Sequence, residues 1–174
     1  LPVPPDGAEV YLSRWCRDSQ LFWGNNGRLD LAAYTPCTED WFLQRTARHA
    51  NVQAVVQQLI GSNVRPSRRC RGLYVVFPQA RDADPVARLS AHTDGIASQL
   101  HCMIYAADCP PHGGGFTLWP TSHRSCYYHM ETEYNMEPKA GYDELLAKIK
   151  ATVTPVEIAA EAGDCCFWHP RSLH

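Results

Sequence analysis

The sequence predicts a mainly β domain with helices at its N-terminal end, and three observations carry that prediction. Its 174 residues, 45% hydrophobic and 20% charged, suit one folding unit with a substantial core. Apolar residues at helical spacing are concentrated ahead of Gly61. Beyond it they come mainly in short runs bounded by Pro and Gly, a texture of many short strands that favours a jelly roll or barrel over a parallel α/β sheet.

Residues 1–36 mix Trp15, Phe22 and Trp23 with the turn signal Asn25-Asn26-Gly27, and no period persists, so they read as an irregular cap. Thr38 and Asp40 are N-cap candidates for the segment that follows. Val52, Val55, Val56, Leu59 and Ile60 then recur at i, i+3, i+4, i+7 and i+8 until Gly61, which predicts one or two helices over residues 40–60. Strands are expected at residues 73–77, 102–107 and 116–119, the first and last of these ending at a proline. Residues 141–150 carry Leu145, Leu146 and Ile149 with acids early and lysines late, a short helix matched to its dipole. It lies in an insertion, residues 125–150, whose Tyr127, Tyr128, Tyr134 and Tyr142 make it a candidate lid or, alternatively, a packed surface flap with no such role. Two last strands, 152–158 and 165–168, are joined by a turn at 161–164. The expected organisation is a single domain over 1–174: a cap with helices to residue 60, then the β core.

A formal net charge of −2 offers no global attraction for nucleic acid or an anionic membrane. No apolar run approaches the roughly 20 residues of a bilayer span, and the first residues lack a signal peptide's charged and apolar regions. A soluble, intracellular protein is expected, with its binding partners to be argued from its sites, and the missing initiator Met suggests that the chain begins inside a longer one. None of the eight Cys forms a CxxC pair; reduced, mostly buried thiols are expected, with Cys165 and Cys166 acting as small hydrophobes.

The chemistry centres on His92-Thr93-Asp94. On extended chain, residues i and i+2 project to one side, so an imidazole and a carboxylate can fill adjacent vertices of a metal while the third ligand comes from elsewhere. His174 is the candidate, closing an apolar strand that leads out to a polar end. Two His and one carboxylate on one face form the arrangement of non-haem Fe(II) oxygen chemistry. His123 and His169 read as structural or surface residues, and His49, His101, His112 and His129 as solvated or hydrogen-bonded rings. The Gly113-Gly114-Gly115 run lacks the Lys and the helix of a phosphate loop and reads as a tight connection.

From about Asn51 to His174 the chain resembles the phytanoyl-CoA dioxygenase-like branch of the Fe(II)/2-oxoglutarate dioxygenases. The resemblance is carried, in order, by the helix ending Leu59-Ile60-Gly61, the Arg71-Gly72-Leu73-Tyr74 strand, His92-Thr93-Asp94, Gly113 through Arg124, and Gly163-Asp164 through His174. The family's Pro-Gly-Ser-His appears as Pro120-Thr121-Ser122-His123. The resemblance implies a double-stranded β-helix (a cupin-like jelly roll), a metal triad of His92, Asp94 and His174, and Fe(II), 2-oxoglutarate and O2 as cofactor and cosubstrates. Retention of Asp94 favours hydroxylation over halogenation. Arg71, Tyr74, Gln99 and Thr117 are candidate cosubstrate contacts, whereas Arg65, Arg68 and Arg69 read as a solvated edge. The family's carboxylate-pairing Arg is expected beyond His174; Arg171 stands too early for that part. Two alternatives stay open: a non-catalytic jelly-roll binding module, and a hydrolytic metal site in a cupin-like barrel.

Overall fold

The computed structural model describes residues 22–23, 28–31, 39–65, 67–68, 70, 73–76, 91–94, 99–131 and 137–174, with backbone path and pairing alone for 22–23, 28–31 and 73–76. Two compact units result, one of residues 1–53 and 65–83, the other of residues 54–64 and 84–174.

In the first unit, β1 (Phe22–Trp23), β2 (Arg28–Leu31) and β3 (Leu73–Val76) form an antiparallel sheet in that order, with Trp23 opposite Leu29 and Asp30 opposite Tyr74. Part of the expected irregular cap is thus a strand pair flanking Asn25-Asn26-Gly27; its strands are too short to display a period. Helix α1 (Asp40–Arg45) follows Glu39, an extended residue that occupies the N-cap position, while Asp40 sits in the first turn. Thr38 lies outside the described residues. Helix α2 (Ala50–Ile60) ends where Gly61 takes a φ of +91° and donates its N–H to Gln57 O. Of its apolar stripe, Val52 is buried while Leu59 remains 56% exposed.

The second unit takes α2 from Ala54 onward and holds β4 (His101–Ile104), β5 (Thr117–Leu118), α3 (Ser122–Tyr127), α4 (Tyr142–Thr152), β6 (Val156–Glu157) and β7 (Cys165–Trp168). β4 pairs antiparallel with β7, His101 opposite Trp168 and Ile104 opposite Cys165, and β5 pairs with β6. The strands fall where expected but are mostly shorter. No sheet closes on itself among the described residues, and helix there outweighs strand.

Much of that helix is in and beside the insertion. α3, which hydrophobic patterning misses, starts at the Pro120-Thr121 turn, where Thr121 has a left-handed φ of +64°. α4 matches its expected range and charge order, with Asp143 and Glu144 in the first turn and Lys150 in the last. The core joins these elements to the chain's last residues: Trp119, Cys126, Ile149 and Leu173 are buried together, with Ala91, Leu145, Leu146 and Val153 packed around them.

The triglycine connection is built around one carboxylate. Glu157 accepts the backbone N–H groups of His112 at 2.8 Å, Gly114 at 3.0 Å and Gly115 at 2.9 Å. A Cβ at Gly115 would stand 2.4 Å from Ile158 O, so the close approach of the two chains requires glycine there.

Six cysteines are free among the described residues, and of these only Cys126 and Cys166 are buried; Cys102 is exposed and Cys70, Cys109 and Cys165 are half-buried. The expectation of mostly buried thiols is corrected to that extent, because β4 and β7 present alternate residues to opposite faces. No helix among the described residues is long and apolar enough to cross a membrane.

Candidate metal centre

Two short segments make the centre, residues 91–94 and 170–174. His92 N–H donates to His174 O at 2.9 Å, His174 N–H returns the bond at 3.0 Å, and Asp94 N–H donates to Pro170 O at 2.9 Å. The second segment needs more residues than the first to span these bonds, and the surplus is taken up by a turn in which Ser172 N–H donates to His169 O. The opposite edge of the same segment is held as well. Trp119 N–H donates to Leu173 O, Leu173 N–H to Ser122 Oγ at 2.8 Å, and Ser122 Oγ–H to Trp119 O at 2.6 Å. With Leu173 fully buried in the core, His174 has little freedom.

The result brings together one ligand atom each from His92, Asp94 and His174, all within 4.8 Å of one another. The His92 and His174 rings lie 4.7 Å apart, and His174 Nε2 stands 3.5 Å from Asp94 Oδ2. His92 is exposed, Asp94 is 6% exposed, and His174 lies between them in burial. On one side Phe116 and Trp168 form an aromatic wall against His174, at 5.1 and 5.6 Å between ring centres.

Burial alone would raise the Asp94 pKa, but the hydrogen bond from His101, the charges of His174 and His101 and the Trp168 indole outweigh it and hold the carboxyl below its ordinary value. Burial drives the His174 pKa down, against opposing contributions from Ser172 O and Asp94. His174 Nδ1 lies 2.9 Å from Ser172 O, and since a carbonyl only accepts, Nδ1 carries the proton. In the neutral ring Nε2 keeps a lone pair that faces the Asp94 carboxylate at 3.5 Å, and two such electron-pair donors side by side are a set that a divalent metal between them would satisfy.

The other expected residues fall differently. Arg71 lies outside the described residues, and so does Tyr134. Tyr74 is in β3, whose side chains are not described; Gln99 is exposed; Thr117 in β5 donates from Oγ1 to Gly115 O at 3.2 Å. His123 and His169 pair with each other, rings 5.9 Å apart, and do not join the ligand group. Arg171 is buried, donates to Tyr127 O at 2.9 Å and lies 4.4 Å over that ring, an internal strut. From the insertion, Tyr128 is 76% exposed, while the Tyr142 hydroxyl bonds the Thr93 hydroxyl. Thr93 sits between the two ligand candidates on its segment, so alternation sends its side chain to the other face and Tyr142 supports the segment from behind. A cavity of about 280 Å³ opens between residues 91–94 and Pro138, Tyr142 and Leu146. A larger one, about 340 Å³, is bordered by Tyr105 and β7 and contains none of the three ligand candidates.

Pattern reading missed His101 and Trp168. Both place a donor on Asp94 Oδ2, His101 Nδ1 at 2.6 Å and Trp168 Nε1 at 3.3 Å. The available signal was their facing position at the ends of paired strands, which appears only once the β4–β7 register is known.

A family model for phytanoyl-CoA dioxygenase (PhyH) matches residues 25–174. The chain belongs to that family. No match is found among curated proteins or among solved structures. The family is one of cupin-like oxygenases that generally use Fe(II) and 2-oxoglutarate, which accords with the His-Asp-His group present here.

Proposed function

We propose that the chain is an Fe(II)- and 2-oxoglutarate-dependent oxygenase that hydroxylates, or otherwise oxidises, a small organic molecule with release of succinate and CO2. The observation that carries this reading is the convergence of His92, Asp94 and His174 within 4.8 Å. These three would hold the metal, Asp94 supplying negative charge and His174 a lone pair directed by its bond to Ser172. When bound, iron and 2-oxoglutarate supply the oxidising power for attack on a C–H bond.

The chain's own part is to bind, orient and exclude water. Paired backbone bonds set the spacing of the two segments, and Phe116 and Trp168 screen one side of His174 from solvent. Gln99, Thr117, Arg71 and Tyr74 are the proposed contacts to the cosubstrate, and the family's double-stranded β-helix is the proposed frame. A soluble, intracellular setting is the proposed location.

The test is anaerobic visible absorption with Fe(II) and 2-oxoglutarate, on the chain and on His92→Ala and His174→Ala. A charge-transfer band in the parent that both substitutions abolish is the expected result. Absence of the band, in this chain and in one carried past His174, overturns the oxygenase reading and favours a binding module. Turnover that needs neither O2 nor 2-oxoglutarate would favour a hydrolytic site.

A further inference from the structure

Asp94 has rotational freedom about two side-chain bonds, and a carboxylate ligand is effective only in the rotamer that faces its partners. Here two donors from two different strands converge on a single oxygen, Oδ2. His101 Nδ1 approaches to 2.6 Å from the first residue of β4, and Trp168 Nε1 to 3.3 Å from the last residue of β7. The two donor residues are register partners in the antiparallel pair, so the backbone ladder holds them side by side on one face of the sheet. Their rings meet edge to face at 5.4 Å and 89°, which fixes the imidazole plane. The contact is well shielded: the side chains of His101 and Asp94 are 17% and 8% exposed. An ionised carboxylate only accepts, so His101 Nδ1 is the donor.

We propose that His101 is a positioning residue of the metal centre, its Nδ1–H acting with the Trp168 indole N–H to hold the Asp94 carboxylate toward His174. The inference rests on the reading of His92, Asp94 and His174 as a metal site. It adds a residue outside the ligand set whose donor, rather than its bulk, sets metal affinity and ligand-field geometry. Outer hydrogen-bond partners of metal ligands typically contribute about 10–100-fold in affinity.

The experiment is Co(II) titration of the chain, read from its visible d–d absorption, with His101→Leu and His101→Asn alongside His92→Ala and His174→Ala. Leu keeps comparable bulk without a donor; Asn places an N–H close to where Nδ1 stands. The Leu variant should bind Co(II) about 10–100-fold more weakly, with a changed d–d spectrum at saturation, and Asn should return both to within a few-fold of the parent. Leu binding as tightly as the parent, with the same spectrum, overturns the proposal. So does an Asn variant that keeps the parent's metal-free Tm yet recovers neither affinity nor spectrum. Should Leu fail to fold, His101→Met, which likewise carries no N–H donor, replaces it; parent-like affinity and spectrum there overturn the proposal. If the parent binds no Co(II), or if binding survives both His92→Ala and His174→Ala, the metal-site reading itself fails and takes this inference with it.

Discussion

His92 and His174 exchange both of their backbone hydrogen bonds, at 2.9 and 3.0 Å, although nearly half of the chain separates them. In such a doubly bonded antiparallel pair the Cα atoms stand about 5.5 Å apart with both side chains on one face, and here the two imidazoles lie 4.7 Å apart. A metal gripping both rings would staple the same two segments and stabilise only the folded chain. Co(II) at about 100 times its dissociation constant should therefore add about 2.7 kcal/mol to stability, with a chelator reversing the gain. Thermal denaturation checks this; a shift retained by both His92→Ala and His174→Ala would place the metal elsewhere.

Leu173 is fully buried beside Trp119, Cys126 and Ile149, and the next residue is His174. Truncation to Ala should cost about 2–5 kcal/mol through lost burial and the cavity left behind. It should also weaken Co(II) binding, although Leu173 donates nothing to a metal. Urea denaturation and metal titration on the one variant measure both effects, and unchanged metal affinity would mean that the core does not hold the ligand in place.

Thr121 occupies a left-handed position, φ +64°, where the family motif has Gly. A non-glycine residue there bears about 1–2 kcal/mol of strain, partly offset by the greater unfolded-state freedom of glycine. Thr121→Gly should thus stabilise the chain by about 0.5–1 kcal/mol, one substitution of an exposed residue expected to raise the denaturation midpoint. A lower midpoint would show that the Thr side chain contributes more than its strain costs.

Glu157 closes the triglycine connection with three backbone bonds, and its side chain is 24% exposed. Removing it by Glu157→Ala leaves three amides without that acceptor, a loss of about 2–3 kcal/mol after allowance for solvent. Glu157→Gln keeps one acceptor oxygen and should lose about 1 kcal/mol. Equal midpoints for the two variants would contradict the role of the carboxylate.

Cys126 is buried, and burial pushes its thiol pKa up from 9.0 to about 11. The folded chain therefore holds this proton more tightly than the unfolded one. The associated stability is complete below pH 9 and is lost as pH rises from 9 through about 11. Tyr105, Tyr142 and Cys166 are shifted the same way by burial, so the parent should lose stability across this window with Cys126→Ala losing less. Denaturation midpoints at pH 8, 9, 10 and 11 compare the slopes, and parallel slopes would exclude Cys126 as a contributor.

Features encoded over a few consecutive residues were legible in the sequence. Helix α2 followed from its apolar stripe and its glycine stop, α4 from charge order and three apolar residues, and β7 from the run Cys165 to Trp168. His92 and Asp94 were recognisable because alternation on extended chain places i and i+2 together. The β1–β2 pair and α3 were missed because two to six residues are too few to show a period.

By itself, then, the sequence determined the candidate ligands, the positions of the longer helices and the family pattern, all matters of residue type and local spacing. Only the tertiary structure decided what surrounds those ligands. That His101 and Trp168 meet on one Asp94 oxygen follows from the register of β4 on β7. That Tyr142 braces Thr93, Leu173 anchors His174 and Glu157 fills the glycine loop follows from the packing of segments far apart in the chain. Register and packing depend on all the segments at once, which is why no local window contains them.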